Sequence, residues 1–222
     1  GISMMYSILY LGIYAATFSI TGGLKAVVWT DVVQVIALVL GGLVATYGVL
    51  DVVGGGIIDG LKELIARAPE KFDMIIEKGT MMIPDGKGGL KDAYMDLPGI
   101  SVLIGGMWIA NLYYWGSNQY IIQRALASKS LDEAQKGAAF AAFIKVFLPL
   151  IIVIPGIAAY VLGAELTKSD QAYSWVLNNH VASGLKGITL AALIAAIGSS
   201  VAAMVNSTST IFTLDIYQHF FL

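Results

Sequence analysis

Apolar and polar residues fall along the chain in long blocks. Five blocks are apolar for most of their length: residues 4–20, 27–50, 98–123, about 137–162 and about 188–213. A helix needs about 20 mostly apolar residues to cross the hydrocarbon core of a bilayer. Each block is therefore read as a membrane span, and the chain as an all-α integral membrane protein. Thr21, Gly22 and Gly23 close the first block with a turn signal, and Asp51 with Gly54, Gly55 and Gly56 closes the second. Two polar stretches, 51–97 and 163–187, are the extramembrane loops. In the longer one Ile57, Ile58, Leu61, Leu64 and Ile65 recur at helical spacing among charges, which predicts a short amphipathic helix on the membrane-proximal surface. PDGKGG at 84–89 predicts a mobile, turn-rich loop. In the shorter stretch, Tyr173, Trp175, Val176 and Leu177 are expected to lie on the interface. Lys25 follows the first span, and Arg124, Lys129 and Lys136 follow the third, which places those connectors in the cytoplasm and the long loop outside.

Composition strengthens the membrane reading. Of the 222 residues, 57% are hydrophobic and 13% charged, against about 25% charged in soluble domains, and the mean hydropathy is +0.77. The net charge of −2 offers no basic footprint for nucleic acid. Without cysteine there is no disulfide, thiolate metal site or thiol chemistry. His180 and His219 lie near polar ends, and with no metal-ligand pair or nucleophile–base set an enzyme is the weakest class. Apolar spans lie beside both ends and the chain opens on Gly1, so it reads as a piece of a longer protein.

Polar groups inside the spans change the picture further, because an ionisable side chain at the bilayer centre costs roughly 2.5–3.5 kcal/mol even on lenient scales. Asp31 and Gln34 stand three apart in the second span, on one helical face. Asp31 is either a hydrated or capping residue near the interface or a carboxylate lining a cation path. Lys145 lies roughly 12 Å along the fourth span at 1.5 Å per residue. Either it snorkels outward, or it points its ammonium into the bundle toward a bound solute. Pro149 and Pro155 predict kinks in the same span. The fifth span is rich in hydroxyls, among them Ser199, Ser200, Asn206, Ser207 and Thr208. Close helix packing explains such residues, and so does a sodium site built from uncharged oxygens. NLYYWGSNQY, at 111–120, lies midway along the third span. Gly116 beside this polar cluster predicts a break, which survives at that depth only facing protein or a water-filled cavity. Broken helices at the midplane are where secondary transporters bind substrate. Asn111 offers a donor and an acceptor for a polyhydroxylated solute. Tyr113, Tyr114 and Trp115 offer flat faces for the apolar side of a sugar ring.

Four blocks, TGGLKAVVWTDVVQ (21–34), ANLYYWGSNQYIIQRALASKS (110–130), AAFIKVFLPLIIVIPGIAAYV (141–161) and AAIGSSVAAMVNSTSTIFTLDIY (195–217), resemble the sodium/solute symporter family, above all its sodium-coupled galactose and glucose transporters. The resemblance leaves out the variable stretches 51–95 and 163–185. It implies five transmembrane helices of a ten-helix, inverted-repeat (LeuT-like) transporter core, with the third span as the broken helix. It further implies that Asn111 and Lys145 bind the sugar, that Tyr114 closes the sugar off from the cytoplasm, and that Trp115 belongs to that inner gate. Ala196 through its carbonyl, and Ser199 and Ser200 through their hydroxyls, are implied as sodium ligands, and Asp31 as a residue of the sodium exit path. Ser117 departs from the pattern, standing where an aromatic is expected. The core helices that complete the sodium and sugar sites are absent from these 222 residues, so this piece alone is not expected to transport.

The expected function is sodium-coupled import of a galactose- or glucose-like sugar across the cell membrane by alternating access, with sodium, the sugar and the lipid bilayer as partners. One rival keeps the mechanism and changes the solute to an inositol, a sialic acid or an amino acid. Another is a transporter-like membrane sensor that binds solute without productive flux.

Overall fold

Apolar blocks free of competing hydrogen-bond partners satisfy their backbone groups internally, as hydrocarbon requires, and the structure is accordingly dominated by helices. It is a computed structural model that describes residues 3–73, 75–85, 88–96, 99–166 and 168–221, with only the backbone of Pro84. Pro98, the expected start of the third span, and Gly86 and Lys87 of the expected loop lie outside the described residues.

Helix α1 runs Met4–Gly54 over 51 residues. At 1.5 Å per residue that is about 75 Å, far more than the roughly 30 Å of one hydrocarbon core. It is not uniform: Gly23 has φ 57° and ψ −165°, a non-helical conformation that divides it at the turn signal read from the sequence. Three helices are long and apolar enough to cross a membrane: α1, α6 (Leu131–Val161), and the stretch Ser183–Phe221 that begins with α8 (Ser183–Ile211). A bent pair, Ala93–Ile104 with Gly106–Gly116 at 81°, brings the number to four if it forms one span. Five separate spanning helices are therefore not what the structure displays.

The described chain divides into two compact units. The first comprises residues 1–44, 119–144 and 182–222. Its core is built of small residues, with Ala15, Val27, Ala202 and Ala203 buried and Phe18, Tyr120 and Val201 packed against them. Small side chains allow close helix approach: a Cβ on Gly198 would stand 2.9 Å from the Tyr14 ring, and one on Gly41 3.0 Å from Thr189 Oγ1. Beyond α8 the backbone passes through a π-helical segment, Phe212–Tyr217, into the short helix α9 (Gln218–Phe221).

The second unit comprises residues 45–118 and 145–181. Helix α2 (Ile57–Arg67) forms where the amphipathic helix was expected, but it does not lay its apolar face on a membrane surface. Leu64 is fully buried beside Val49, Leu50, Ile154 and Val176. Gly54 and Gly60 make this packing possible, since a Cβ on Gly60 would strike the Leu50 carbonyl and one on Gly54 would stand 2.6 Å from the Gly60 nitrogen. Ile57, Ile58 and Ile65 remain exposed. Helix α7 (Ala172–His180) likewise places Val176 and Leu177 in this core and Trp175 against it, so protein rather than lipid covers them. The loop expected at 84–89 is the turn of a small hairpin. Strands β1 (Met82–Pro84) and β2 (Leu90–Asp92) pair antiparallel, and the Gly89 N–H donates to Asp85 Oδ1 at 2.8 Å.

Candidate functional site

In the second unit the third apolar block is broken twice. Helix α3 (Ile100–Ile104) ends at Gly105, and α4 (Gly106–Gly116) ends at the glycine singled out from the sequence. The Tyr113 carbonyl closes α4 by accepting from the Ser117 N–H at 2.9 Å and the Asn118 N–H at 3.0 Å. Gly116 needs no left-handed backbone and a Cβ there would meet open space; the break is made by the chain leaving the helix at Ser117 and Asn118. Helix α5 (Gln119–Leu126) follows directly.

Asn111, Tyr114 and Trp115 stand at i, i+3 and i+4 on α4 and so share a face. The two rings meet edge to face, 5.4 Å between centroids. Lys145 of α6 joins them, its Nζ 4.2 Å from the Trp115 centroid and 5.6 Å from that of Tyr114. An ammonium is drawn to the negative faces of such rings, so in this structure Lys145 turns to the aromatic pair. Pro149 lacks an N–H, which deprives the Lys145 carbonyl one turn earlier of its helical donor. Asn111 Nδ2 donates to the Met107 carbonyl at 2.8 Å, leaving its Oδ1 to accept. Asn111 and Lys145 are both exposed. A polar rim around apolar ring faces is chemistry suited to a polyol.

The other candidates lie in the first unit. Ala196, Ser199 and Ser200 occupy i, i+3 and i+4 of α8, again one face. Ser199 is buried, while Ala196 and Ser200 are half-buried. Asp31 sits well inside α1 and joins this group, since Ser199 Oγ donates to Asp31 Oδ1. The other carboxylate oxygen accepts from Arg124 Nη2 on α5 at 2.6 Å. The guanidinium also lies over the Tyr120 ring, 5.5 Å from its centroid. Beside it, buried Gln123 donates from Nε2 to the Ala203 carbonyl of α8 at 3.3 Å.

Arg124 was read from the sequence only as a marker of orientation, and Gln123 was not singled out. Gln34 was noted for sharing a face with Asp31 and was given no role. Arg124 and Asp31 are 93 residues apart, and no local periodicity reports such a pairing. The one available signal was that an acid inside an apolar span needs a cation, and Arg124 is a cation at the edge of another span.

Long apolar helices that gather a few polar groups at breaks and packed faces define a multi-pass membrane protein of the transporter class. The chain belongs to the sodium:solute symporter family, whose model matches residues 1–222. Among its relatives is the sodium/glucose cotransporter of Vibrio parahaemolyticus, 48% identical over 99% of this chain and 42% of that protein. The sodium/myo-inositol cotransporter 2 of Homo sapiens is 34% identical over 92% of the chain and 32% of that protein. The sodium/mannose cotransporter SLC5A10 of Bos taurus is 31% identical over 91% and 36% respectively. The chain thus spans less than half the length of each of these relatives.

Proposed function

We propose that the protein containing this chain imports a galactose- or glucose-like sugar together with sodium, by alternating access. The carrying observation is the α4–α6 cluster, in which two aromatic rings stand beside the Lys145 ammonium with Asn111 on the same helical face. Relatives named for glucose, myo-inositol and mannose cotransport support a neutral polyol as solute. In this reading Asn111 and Lys145 bind the sugar, and Tyr114 with Trp115 forms the inner gate. Ala196, Ser199 and Ser200 hold sodium, and Asp31 lies on the path by which it leaves. Division of α1 at Gly23, and joining of the residue 98–123 segments into one broken span, yield the five helices of a ten-helix core.

Uptake of labelled galactose and glucose into vesicles containing the full-length protein tests the reading. Uptake should stop when choline replaces external sodium, and unlabelled galactose or glucose should compete while proline should not. Preferential competition by proline would sink the sugar assignment, and sodium-independent uptake would sink the coupling. The myo-inositol relatives favour one second reading, a cyclic polyol as the preferred solute. Competition by myo-inositol in the same vesicles separates the two.

A further inference from the structure

Arg124 is used neither by the aromatic cluster nor by the candidate sodium ligands, yet it occupies the carboxylate between them and the chain break. Its guanidinium takes one Asp31 oxygen at 2.6 Å, and Ser199 takes the other. A sodium ion approaching Asp31 therefore competes with a cation already tethered there. Away from bulk water, one carboxylate neutralises one cation, and a second leaves an uncompensated charge. The two occupants exclude each other.

Displacement has a structural consequence because of where Arg124 is carried. Helix α5 begins at Gln119, and only Ser117 and Asn118 separate it from the end of α4. Tyr114 and Trp115 form the last turn of α4. Release of Arg124 removes one of the two side-chain ties observed from α5, the other being Gln123 to Ala203. A displaced guanidinium also has an acceptor available: Gln34, one turn along α1 from Asp31, has a buried Oε1 without a partner, and Arg124 Nε is likewise buried without one.

We propose that Arg124 is the positioning residue that couples ion to sugar: sodium displaces it from Asp31, and the release passes along α5 and residues 117–118 to the Tyr114–Trp115 turn. The inference rests on the sodium-coupled sugar reading above. Asp31 with either Arg124 or sodium is the two-state element, and both ligands bias it.

The test is galactose and glucose binding to the full-length protein in detergent, with sodium or choline, for wild type, Arg124→Gln and Arg124→Lys. Sodium should tighten wild-type sugar binding by about fivefold or more, the low end of ordinary coupling. Arg124→Gln should still bind sugar but bring that ratio close to one, and Arg124→Lys, which keeps a displaceable cation, should retain most of it. A ratio unchanged in Arg124→Gln overturns the proposal, because loss of a merely structural tie lowers stability without uncoupling the ligands. Should Arg124→Gln not fold, amide hydrogen exchange on wild type decides. Sodium should speed exchange across residues 119–126, and unchanged or slower exchange overturns the proposal equally. A wild type that binds sugar with no sodium effect, or binds none, fails the transport reading itself and takes this inference with it.

Discussion

Asn111 gives its amide protons to its own helix, at 2.8 Å from the Met107 carbonyl, so it meets a solute first as an acceptor. A neutral hydrogen bond is worth about 0.5–1.5 kcal/mol net. Asn111→Ala should therefore weaken galactose binding roughly three- to tenfold, with sodium affinity in the absence of sugar unchanged, as isothermal titration of the full-length protein would register. Ser200 differs from its neighbour: Ser199 already donates to Asp31, whereas Ser200 lies on the same α8 face without that engagement. Ser200→Ala should raise the sodium concentration for half-maximal uptake and leave sugar affinity at saturating sodium near wild type. An unaltered sodium dependence would remove Ser200 from the ion site. Lys145, Tyr114 and Trp115 were each legible as residues of interest from their place in an apolar span. That the lysine stands over the rings was not, because α4 and α6 are separated in sequence and only packing brings the two side chains together.

At the scale of elements, the glycines separate into those that packing demands and those it does not. Gly60 lets α2 seat on α1, and a Cβ there would meet a backbone carbonyl that cannot rotate away. Overpacking of this kind costs about 1–3 kcal/mol. Gly60→Ala should lower the thermal unfolding midpoint, while Gly137→Ala, facing open space inside α6, should leave it unchanged or raise it. Leu64 is fully buried at the same junction, and Leu64→Ala should cost about 2–5 kcal/mol. Denaturant unfolding of the full-length protein in mild detergent measures all three. Helix α2 also marks the limit of periodicity as a guide. Its charges and apolar residues predicted a helix correctly, yet which apolar residues face protein depended on a core contributed by α1, α6 and α7. The break in the third block had a clear local signal in Gly116 and its polar neighbours. The second break, at Gly105, lies in a run whose only sign was a pair of glycines, Gly105 and Gly106.

For the whole molecule, the apolar surface is the dominant physical fact. Trp29, Trp108, Ile109 and Phe140 are exposed on long helices, and such a surface is stable against lipid and costly against water. The protein should remain in the membrane fraction through high salt and alkaline carbonate and be released only by detergent, as fractionation and immunoblotting would reveal. Release by salt would contradict a multi-pass protein. The candidate groups for sugar and for sodium belong to different compact units of the chain, joined in sequence at the 118–119 step that follows the broken helix. Coupling between them is reciprocal if present, so galactose should tighten sodium binding by the same factor by which sodium tightens galactose.

The amino-acid sequence by itself determined that this chain is helical and membrane-embedded, because hydrocarbon thickness and backbone hydrogen bonding leave a long apolar block few alternatives. It also marked the break near Gly116 and the polar residues worth watching, since a polar group in an apolar span stands out wherever it falls. Only the tertiary structure decided the pairings: Lys145 with Trp115, Ser199 and Arg124 with Asp31, and Leu64 with a core it does not announce. Those depend on which helix faces meet, and that is set by close packing of small residues and by the need of buried charge for a partner. Neither condition leaves a local trace in the order of the residues.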